Sequence, residues 1–510
     1  MTDSVKPWPA LWSLIFGFFM ILVDATIVTV AIPRLATDLD TSLTAVIWVT
    51  SAYLLAYAVP LLITGRLGDR FGPRRLYLIG LTVFTASSLW CGLAGSIEML
   101  ILARVAQGLG ASIMTPQTMA VITRLFPPDK RGAAMGLWGA TAGVASLVGP
   151  LLGGVLVDGL GWQWIFFVNV PVGIVGFVLA IVNVPVLETH RHRFDWLGVA
   201  LSAIGMFLVV FGIQEGENFG WGTIAGPISV WSLIIGGVVV LAAFVGWQAY
   251  LGRPPEPDGR RARPRPEPLL PLVLFRDRNF ALANVAVTTV GFVVSSMMLP
   301  IMLWTQNVHG FTPTQSALLL APTAVISGVL APVVGRRLEV WSTRWVASAG
   351  LGIFAAGTAL YGAQIAANAA WPWLLVPAVV LGLANACTWG PLSVSATRNL
   401  PRLLAGAGSG VYNTTRQVGA VLGSAAIAAM MEVRITAELS AAAGGAGGAG
   451  AGTSAGASGA LPEFLHAAFS RAMGQSEYLP AAVIALGMVA ALFLVSSRRD
   501  AARKAAAAQG

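Results

Sequence analysis

Windows of about 20 consecutive, mostly apolar residues recur fourteen times along this 510-residue chain, and that recurrence leaves little choice of fold. About 20 residues of helix cross a hydrocarbon layer. Only helices and closed barrels satisfy every backbone group inside one. The windows lie near 10–32, 45–64, 76–96, 98–123, 133–157, 163–185, 196–214, 228–250, 280–305, 315–335, 346–367, 373–397, 405–431 and 479–497. With 56% hydrophobic and 10% charged residues, an ordinary soluble domain is excluded. The expected class is an all-α integral membrane protein with both ends on one side. The first window has no basic start or small-residue cleavage site and runs on as a full span, so no cleavable leader is expected.

Charge gives the orientation. Of the 31 Lys and Arg residues, 26 fall at the two ends and in alternate loops, and Arg34, Arg434 and Arg471 fall on the opposite side. Basic loops stay cytoplasmic, so both termini are expected in the cytoplasm. The net charge of +9 then reads as topology and affinity for anionic lipid headgroups, and nucleic-acid binding is rejected.

The chain repeats itself faintly. At an offset of 274, Arg124-Leu-Phe-Pro127, Gly132-Ala133 and Gly136 match Arg398-Asn-Leu-Pro401, Gly406-Ala407 and Gly410. At 270, Gly65-Arg66, Asp69 and Arg74 match Gly335-Arg336, Glu339 and Arg344. The expected organisation is a six-helix bundle (1–190), two additional spans (191–250), a basic Pro/Arg-rich connector (251–278), a second six-helix bundle (279–497) containing a flexible Gly/Ala loop (433–478), and a tail (498–510).

Enzyme chemistry finds no support. Cys91 and Cys387 lie in separate spans, and the four histidines fall in loops without HExxH spacing, so neither a disulfide framework nor a metal site is expected. No phosphate-binding GxxxxGKS loop is present. No catalytic residue and no cofactor are assigned.

The membrane interior holds three charges: Asp24, Arg104 and Arg416. An ionised residue at mid-helix costs roughly 2.5–3.5 kcal/mol, so each needs a polar cavity or a partner. Asp24 is the candidate proton-binding group, since burial favours its neutral form and a nearby cation its charged form. The competing reading is a structural acid permanently paired with an arginine. Arg104 and Gln107 are one turn apart and share a helix face. Arg104 either tunes Asp24 or bonds to backbone carbonyls. The second-half windows contain no acid, while Arg416 adds a positive charge, which disfavours dicationic ligands.

A glycine-punctuated turn, Gly65-Arg66-Leu67-Gly68-Asp69-Arg70-Phe71-Gly72-Pro73-Arg74-Arg75, separates the second and third windows. It resembles the signature loop of the major facilitator superfamily, with Gly65, Asp69, Arg70, Gly72 and Arg74 as the conformational motif. Leu22-Val-Asp24-Ala-Thr-Ile-Val-Thr29-Val-Ala-Ile-Pro33 resembles the first-helix motif of its fourteen-helix drug:proton antiporters, with Thr29 where asparagine is common. Leu102-Ala-Arg104-Val-Ala-Gln107-Gly108-Leu-Gly110 resembles the fourth-helix motif. Gly149, Pro150, Gly153 and Gly154 resemble the exporter motif, with Ala145 where another glycine is usual. Gly161-Trp-Gln-Trp-Ile-Phe-Phe-Val-Asn-Val-Pro171 resembles the sixth-helix start. The resemblance implies parallel halves of nested inverted triplets, with two extra central helices, and proton-coupling roles for Asp24 and Arg104.

Candidate substrate contacts are Trp48, Tyr53, Gln107, Met298, Asn385, Trp389, Tyr412, Asn413, Arg416 and Gln417, a large apolar set with few polar points. The implied function is export of lipophilic or amphipathic molecules in exchange for protons. The alternatives are a dedicated exporter of a metabolite, lipid or siderophore, and a proton-coupled importer. The expected partners are substrate, protons and lipid, with a monomer in a bacterial inner membrane.

Overall fold

The computed structural model describes residues 6–41, 43–187, 189, 195–216, 219–253, 266–338, 340–401, 404–444 and 462–495. The chain is helical almost throughout. The first half contains α1 (Pro7–Asp38), α2 (Leu43–Ala58), α3 (Leu61–Phe71), α4 (Pro73–Gly92), α5 (Ile97–Leu125), α6 (Pro128–Leu160), α7 (Trp164–Phe167) and α8 (Asn169–Asn183). Next come α9 (Trp196–Gln214), a two-stranded ribbon of β1 (Thr223–Ala225) and β2 (Ile228–Ser229), and α10 (Val230–Leu251). The second half contains α11 (Arg278–Ser296), α12 (Met298–His309), α13 (Pro313–Leu318), α14 (Ala321–Arg337), α15 (Thr343–Ala366), α16 (Leu375–Thr397), α17 (Ala405–Gly444), α18 (His466–Ser476) and α19 (Tyr478–Leu492).

Among the described residues eleven helices, or twelve with the α2–α3 pair bent by 46°, are long and apolar enough to cross a membrane. The 20-residue α4 and 33-residue α6 are also long enough, with arginines in their first turns. Counted with these two, the long helical segments follow in the order six, two and six. Helix starts are set locally: proline opens α1, α4 and α6, where its missing N–H is harmless. Ser96 and Asp277 cap α5 and α11 through Met99 N (3.3 Å) and Phe280 N (2.8 Å). Many large apolar side chains face outward, Val182 and Trp196 among them, as a lipid-facing surface requires.

The sequence repeat is physical. A Cβ on Gly65 would lie 2.5 Å from the Gly406 oxygen and 3.0 Å from the Gly410 Cα. The repeat makes the same contact with the partners exchanged: a Cβ on Gly335 would lie 2.7 Å from the Gly132 oxygen, and one on Gly136 3.3 Å from the Gly335 Cα. These glycines let α3 meet α17 and α6 meet α14 at the arginine-rich end, across a pseudo-two-fold relation between the halves. Glu339, the expected counterpart of Asp69, lies outside the described residues.

The extra pair, α9 and α10, is knotted at one end by Asp195. That carboxylate accepts from Gly198 N (2.9 Å), Trp247 Nε1 (2.9 Å) and Gln248 Nε2 (2.7 Å). Met206, Val210 and Ile213 of α9 pack with Leu55 of α2 and Val421 of α17, so the pair leans on the seam between the halves.

Two expectations need correction. The loop placed at 433–478 is narrower, because α17 continues to Gly444 and helix resumes before α18. Arg471 and Gln475 on α18 bond to Glu438 on α17 (2.7 and 2.9 Å) and tie the two helix ends together. The last span begins near Glu463, well before the 479–497 window. It therefore contains Glu477, an acid where none was expected. Residues 445–461, the connector's 254–265 and the tail from 496 lie outside the described residues.

Candidate functional site

Asp24 is fully buried near the middle of α1 and surrounded by donors. Arg104 Nη1 donates to its Oδ2 at 2.5 Å, while Gln107 Nε2 and Asn169 Nδ2 each donate to its Oδ1 at 2.9 Å. Arg104 and Gln107 come from α5 and Asn169 from the start of α8. The shell is itself held in place: Gln107 and Asn169 both donate to Ser88 Oγ on α4 (3.2 and 3.0 Å), and Ser88 donates to the Phe166 carbonyl (2.9 Å). Arg104 also donates to Gln107 Oε1 (2.7 Å) and the Val49 carbonyl (3.2 Å), and its guanidinium lies 4.0 Å from the Tyr53 ring centroid.

Every side chain bonded to Asp24 is a donor, which suits an ionised, acceptor-only carboxylate. Protonation would cancel half of a buried ion pair and leave Arg104 charged and unpaired. Breaking a buried pair from one side costs about 3–5 kcal/mol, so a proton on Asp24 demands that Arg104 find another partner. Arg104 Nη2 already lacks a hydrogen-bond partner.

The glycine-proline segment of α6 abuts this cluster. A Cβ on Gly149 would lie 3.0 Å from the Val23 oxygen and clash with the Thr26 side chain, and one on Gly153 would lie 3.0 Å from the Ile27 oxygen. Pro150 lies inside α6. Gly154 faces Thr314 of the second half. The helix carrying the exporter-like motif is thus packed directly on the backbone either side of Asp24.

At the arginine-rich end the halves are latched. Asp69 on α3 is buried, pairs with Arg124 on α5, and accepts from the Gly406 and Ala407 amides (both 3.0 Å) at the start of α17. A carboxylate at a helix N-terminus meets free amides and the positive end of the dipole. Gly72, at φ 92°, makes the turn into α4, and Arg74 donates to the Ile181 carbonyl at 2.6 Å. Arg70 lies beside the Phe71 ring, 5.1 Å from its centroid. Arg66 reaches outside this set and donates to the Leu269 carbonyl (3.3 Å) and to that of Pro268 in the connector.

A model of the Major Facilitator Superfamily matches residues 14–213 and 194–424. The chain belongs to the major facilitator superfamily. It is 50% identical to an uncharacterized MFS-type transporter of Mycobacterium tuberculosis, over 96% of this chain and 81% of that protein. It is 32% identical to the tetracenomycin C resistance and export protein of Streptomyces glaucescens (84% and 77% covered), and 32% identical to the multidrug resistance protein Stp of M. tuberculosis (83% and 75%). The fold matches that of the human organic anion transporter MFSD10 with a TM-score of 0.61 at 13% identity, covering 95% and 99% of the two chains. This major facilitator protein is therefore a multi-pass membrane transporter and not an enzyme. Among the described residues no group of three potential metal ligands occurs.

The transporter distributes its candidate substrate residues unevenly. Tyr53 and Gln107 belong to the Asp24 cluster. Trp48 packs on Phe211 of the extra pair at 5.7 Å. Arg416 on α17 donates across the seam to the Tyr57 hydroxyl (3.3 Å), which bonds Thr115 (3.2 Å). Trp389 Nε1 donates to Asn385 Oδ1 (3.0 Å), Tyr412 bonds Ser393 (3.2 Å), and Asn413 Nδ2 donates to the Ser409 carbonyl (2.9 Å). Gln417 is buried, and Met298 opens α12 at its junction with α11. Sequence reasoning missed Ser88, Asn169 and Tyr57. Asn169, the one amide in the Trp162–Pro171 aromatic stretch besides Gln163, was the available signal.

Proposed function

We propose that this protein exports lipophilic or amphipathic small molecules in exchange for protons, by alternating access, with the arginine-rich end and both termini in the cytoplasm. The observation that carries the reading is Asp24, buried within the membrane in an all-donor shell and packed against the glycine-proline segment of α6.

The state described suits a carboxylate waiting for a proton while the cytoplasmic latch is closed. Protonation from outside releases Arg104. The loss of that pair loosens α1 against α5 and α6, and the halves rock until the Asp69 latch opens. Drug enters from the cytoplasm or inner leaflet, Arg104 returns to Asp24, and the proton leaves inward. One charge moved through 100 mV supplies about 2.3 kcal/mol, so the gradient alone drives a modest accumulation, with no nucleotide or metal and in a single subunit. Substrate contacts fall to the residues at the seam, Arg416 and Tyr57 with Trp389, Asn385, Tyr412, Asn413, Gln417, Met298 and Trp48.

The family supports export of drug-like molecules: one relative is named for resistance to a single antibiotic and another for multidrug resistance. The first makes a dedicated exporter the second reading. The test is proton release from inverted vesicles on adding lipophilic drugs, with native protein and Asp24→Asn at equal expression. Flux that disappears in the variant supports antiport through Asp24. Folded protein that gives no flux with any amphipathic drug sinks the multidrug reading.

A further inference from the structure

The second half carries a buried acid that the Asp24 mechanism does not use. Glu477 sits at the junction of α18 and α19, is 0% exposed, and neither carboxylate oxygen has a hydrogen-bond partner. Asp24 is equally buried but has three donors. An ionised carboxylate without a donor is strongly penalised at such a site, whereas the neutral acid is tolerated. In one conformation, then, one half surrounds its buried carboxyl with donors and the other leaves its carboxyl with none.

The repeat explains the position. The sixth span of each half is broken, near its start in the first and near its middle in the second: α7 and α8 meet at Val168, α18 and α19 at Glu477. Val168 and Glu477 each precede the second segment and are each followed three residues later by proline, Pro171 and Pro480, and Asn169 stands next to Val168. Asn169 bonds to Ser88 on the third span, and the repeat offset of 274 carries Ser88 onto Gly362. A Cβ on Gly362 would lie 3.0 Å from the Glu477 Cβ and 2.7 Å from the Gly474 oxygen. Glu477 thus sits at the break of the second half's sixth span as Val168 does in the first, one position before the counterpart of Asn169.

A polar row leads away from it. Tyr361, Gln364 and Asn368 follow one another on the same face of α15 and the turn beyond, and Ser470 lies two turns from Glu477 on α18. Ser470 donates to Asn368 Oδ1 at 3.4 Å, joining the rows at the end opposite the arginines, where Asn368 is exposed. The Tyr361 hydroxyl and Gln364 Oε1 are buried without hydrogen-bond partners. The titratable and charged groups on the surrounding elements are His466 and Arg471 on α18, Tyr478 beside Glu477 in the chain, Arg344 and Tyr361 on α15, Arg278 on α11, His309 on α12, and Tyr412, Arg416, Glu432, Arg434 and Glu438 on α17. Glu438 is committed to Arg471, and none of these groups bonds to Glu477.

We propose that Glu477 is a second proton-binding carboxyl, loaded in the latched conformation and exchanging with the outer side along the Tyr361–Gln364–Asn368 row. Its proton occupancy is independent of the antiport reading, whereas its contribution to drug-coupled flux rests on that reading. Infrared difference spectroscopy of the full chain in lipid tests the first point. Native protein is expected to show a protonated-carboxyl C=O band that Glu477→Gln removes and Asp24→Asn leaves in place. A band unchanged in Glu477→Gln overturns the proposal. For the second point, protons released per drug in inverted vesicles are expected to fall by roughly half in Glu477→Gln and to recover in Glu477→Asp. An unchanged proton count makes Glu477 a structural acid and overturns its exchange. Asp24→Asn with undiminished flux would instead defeat the Asp24 reading and leave the Glu477 band assignment standing.

Discussion

Gly65 and Gly406, from opposite halves of the chain, pass each other with no room for a side chain between them: a Cβ on Gly65 would lie 2.5 Å from the Gly406 carbonyl oxygen. The repeat makes this contact twice, the second time as Gly335 against Gly132. Both contacts lie at the end where the arginines concentrate, and there Arg66, Arg124 and Arg131 are occupied by backbone carbonyls or Asp69. Close backbone approach and hydrogen-bonded arginines together close that end.

Gly65→Ala and Gly335→Ala should each open the latch. Forcing one methyl into a tight contact costs about 1–3 kcal/mol, enough to shift a two-state equilibrium roughly 5–150-fold. Distances between spin labels at the arginine-rich end should lengthen in both variants. Gly95→Ala, where a Cβ would meet nothing within 4 Å, should leave them unchanged. Identical distributions in all three proteins would show that these glycines do not form the latch.

Asp69→Asn should weaken the same latch without unfolding the protein. The carboxylate holds Arg124 and two amides at once, and charge-assisted bonds contribute about 1.5–3 kcal/mol each. An amide keeps one acceptor oxygen and loses the ion pair, so transport at equal expression should fall more than about tenfold. Asp69→Glu should not rescue it, because Asp69 is packed at 1% exposure and has no space for another methylene. Native rates in Asp69→Asn would mean that the shape of the loop, and not its charge, closes the end.

The fold was legible because each span must carry its own apolar run, and the half-to-half repeat was legible in paired glycines and charges. Asp24 and Arg104 stood out for the same reason, since a charge is conspicuous against Leu and Val, and Gln107 through its place one turn from Arg104 on the same face. Ser88 and Asn169 did not, since serine and asparagine are unremarkable singly and Asn169 reaches Asp24 across 145 positions of chain. Glu477 was misplaced by hydropathy itself. The stretch His466–Glu477 includes Ser470, Arg471, Gln475 and Ser476, so the apolar window began after it, although α15 and α17 bury much of that helix.

Arg66→Ala should free the connector. Arg66 holds the Pro268 and Leu269 carbonyls, and the Leu270 amide donates to Gln248 Oε1 on α10 (3.1 Å). One strand of chain is thus fastened to the first half and to the extra helices just before the second half begins. Limited proteolysis at the arginines near the connector should accelerate several-fold in Arg66→Ala, and in Gln248→Ala to a lesser degree, since each removes hydrogen bonds of about 0.5–1.5 kcal/mol. Cleavage at the native rate in both would show that the strap is held by packing alone.

The Asp24–Arg104 pair yields the sharpest test, because stability and coupling should separate. Arg104→Gln strands a buried carboxylate and should lower stability by about 3–5 kcal/mol, and Asp24→Asn strands a buried guanidinium at comparable cost. The double variant Asp24→Asn, Arg104→Gln removes both charges and leaves two amides among Gln107, Asn169 and Ser88, which can bond with one another. Its thermal stability in detergent should return to within about 1–2 kcal/mol of native, a non-additivity expected of residues in contact or in one network and not of independent sites. Proton-coupled transport should stay absent, since no group remains in this cluster whose protonation can break the pair and release the halves. If the two losses simply add, the pair contributes no coupling energy, and the donor shell around Asp24 serves a separate purpose from Arg104.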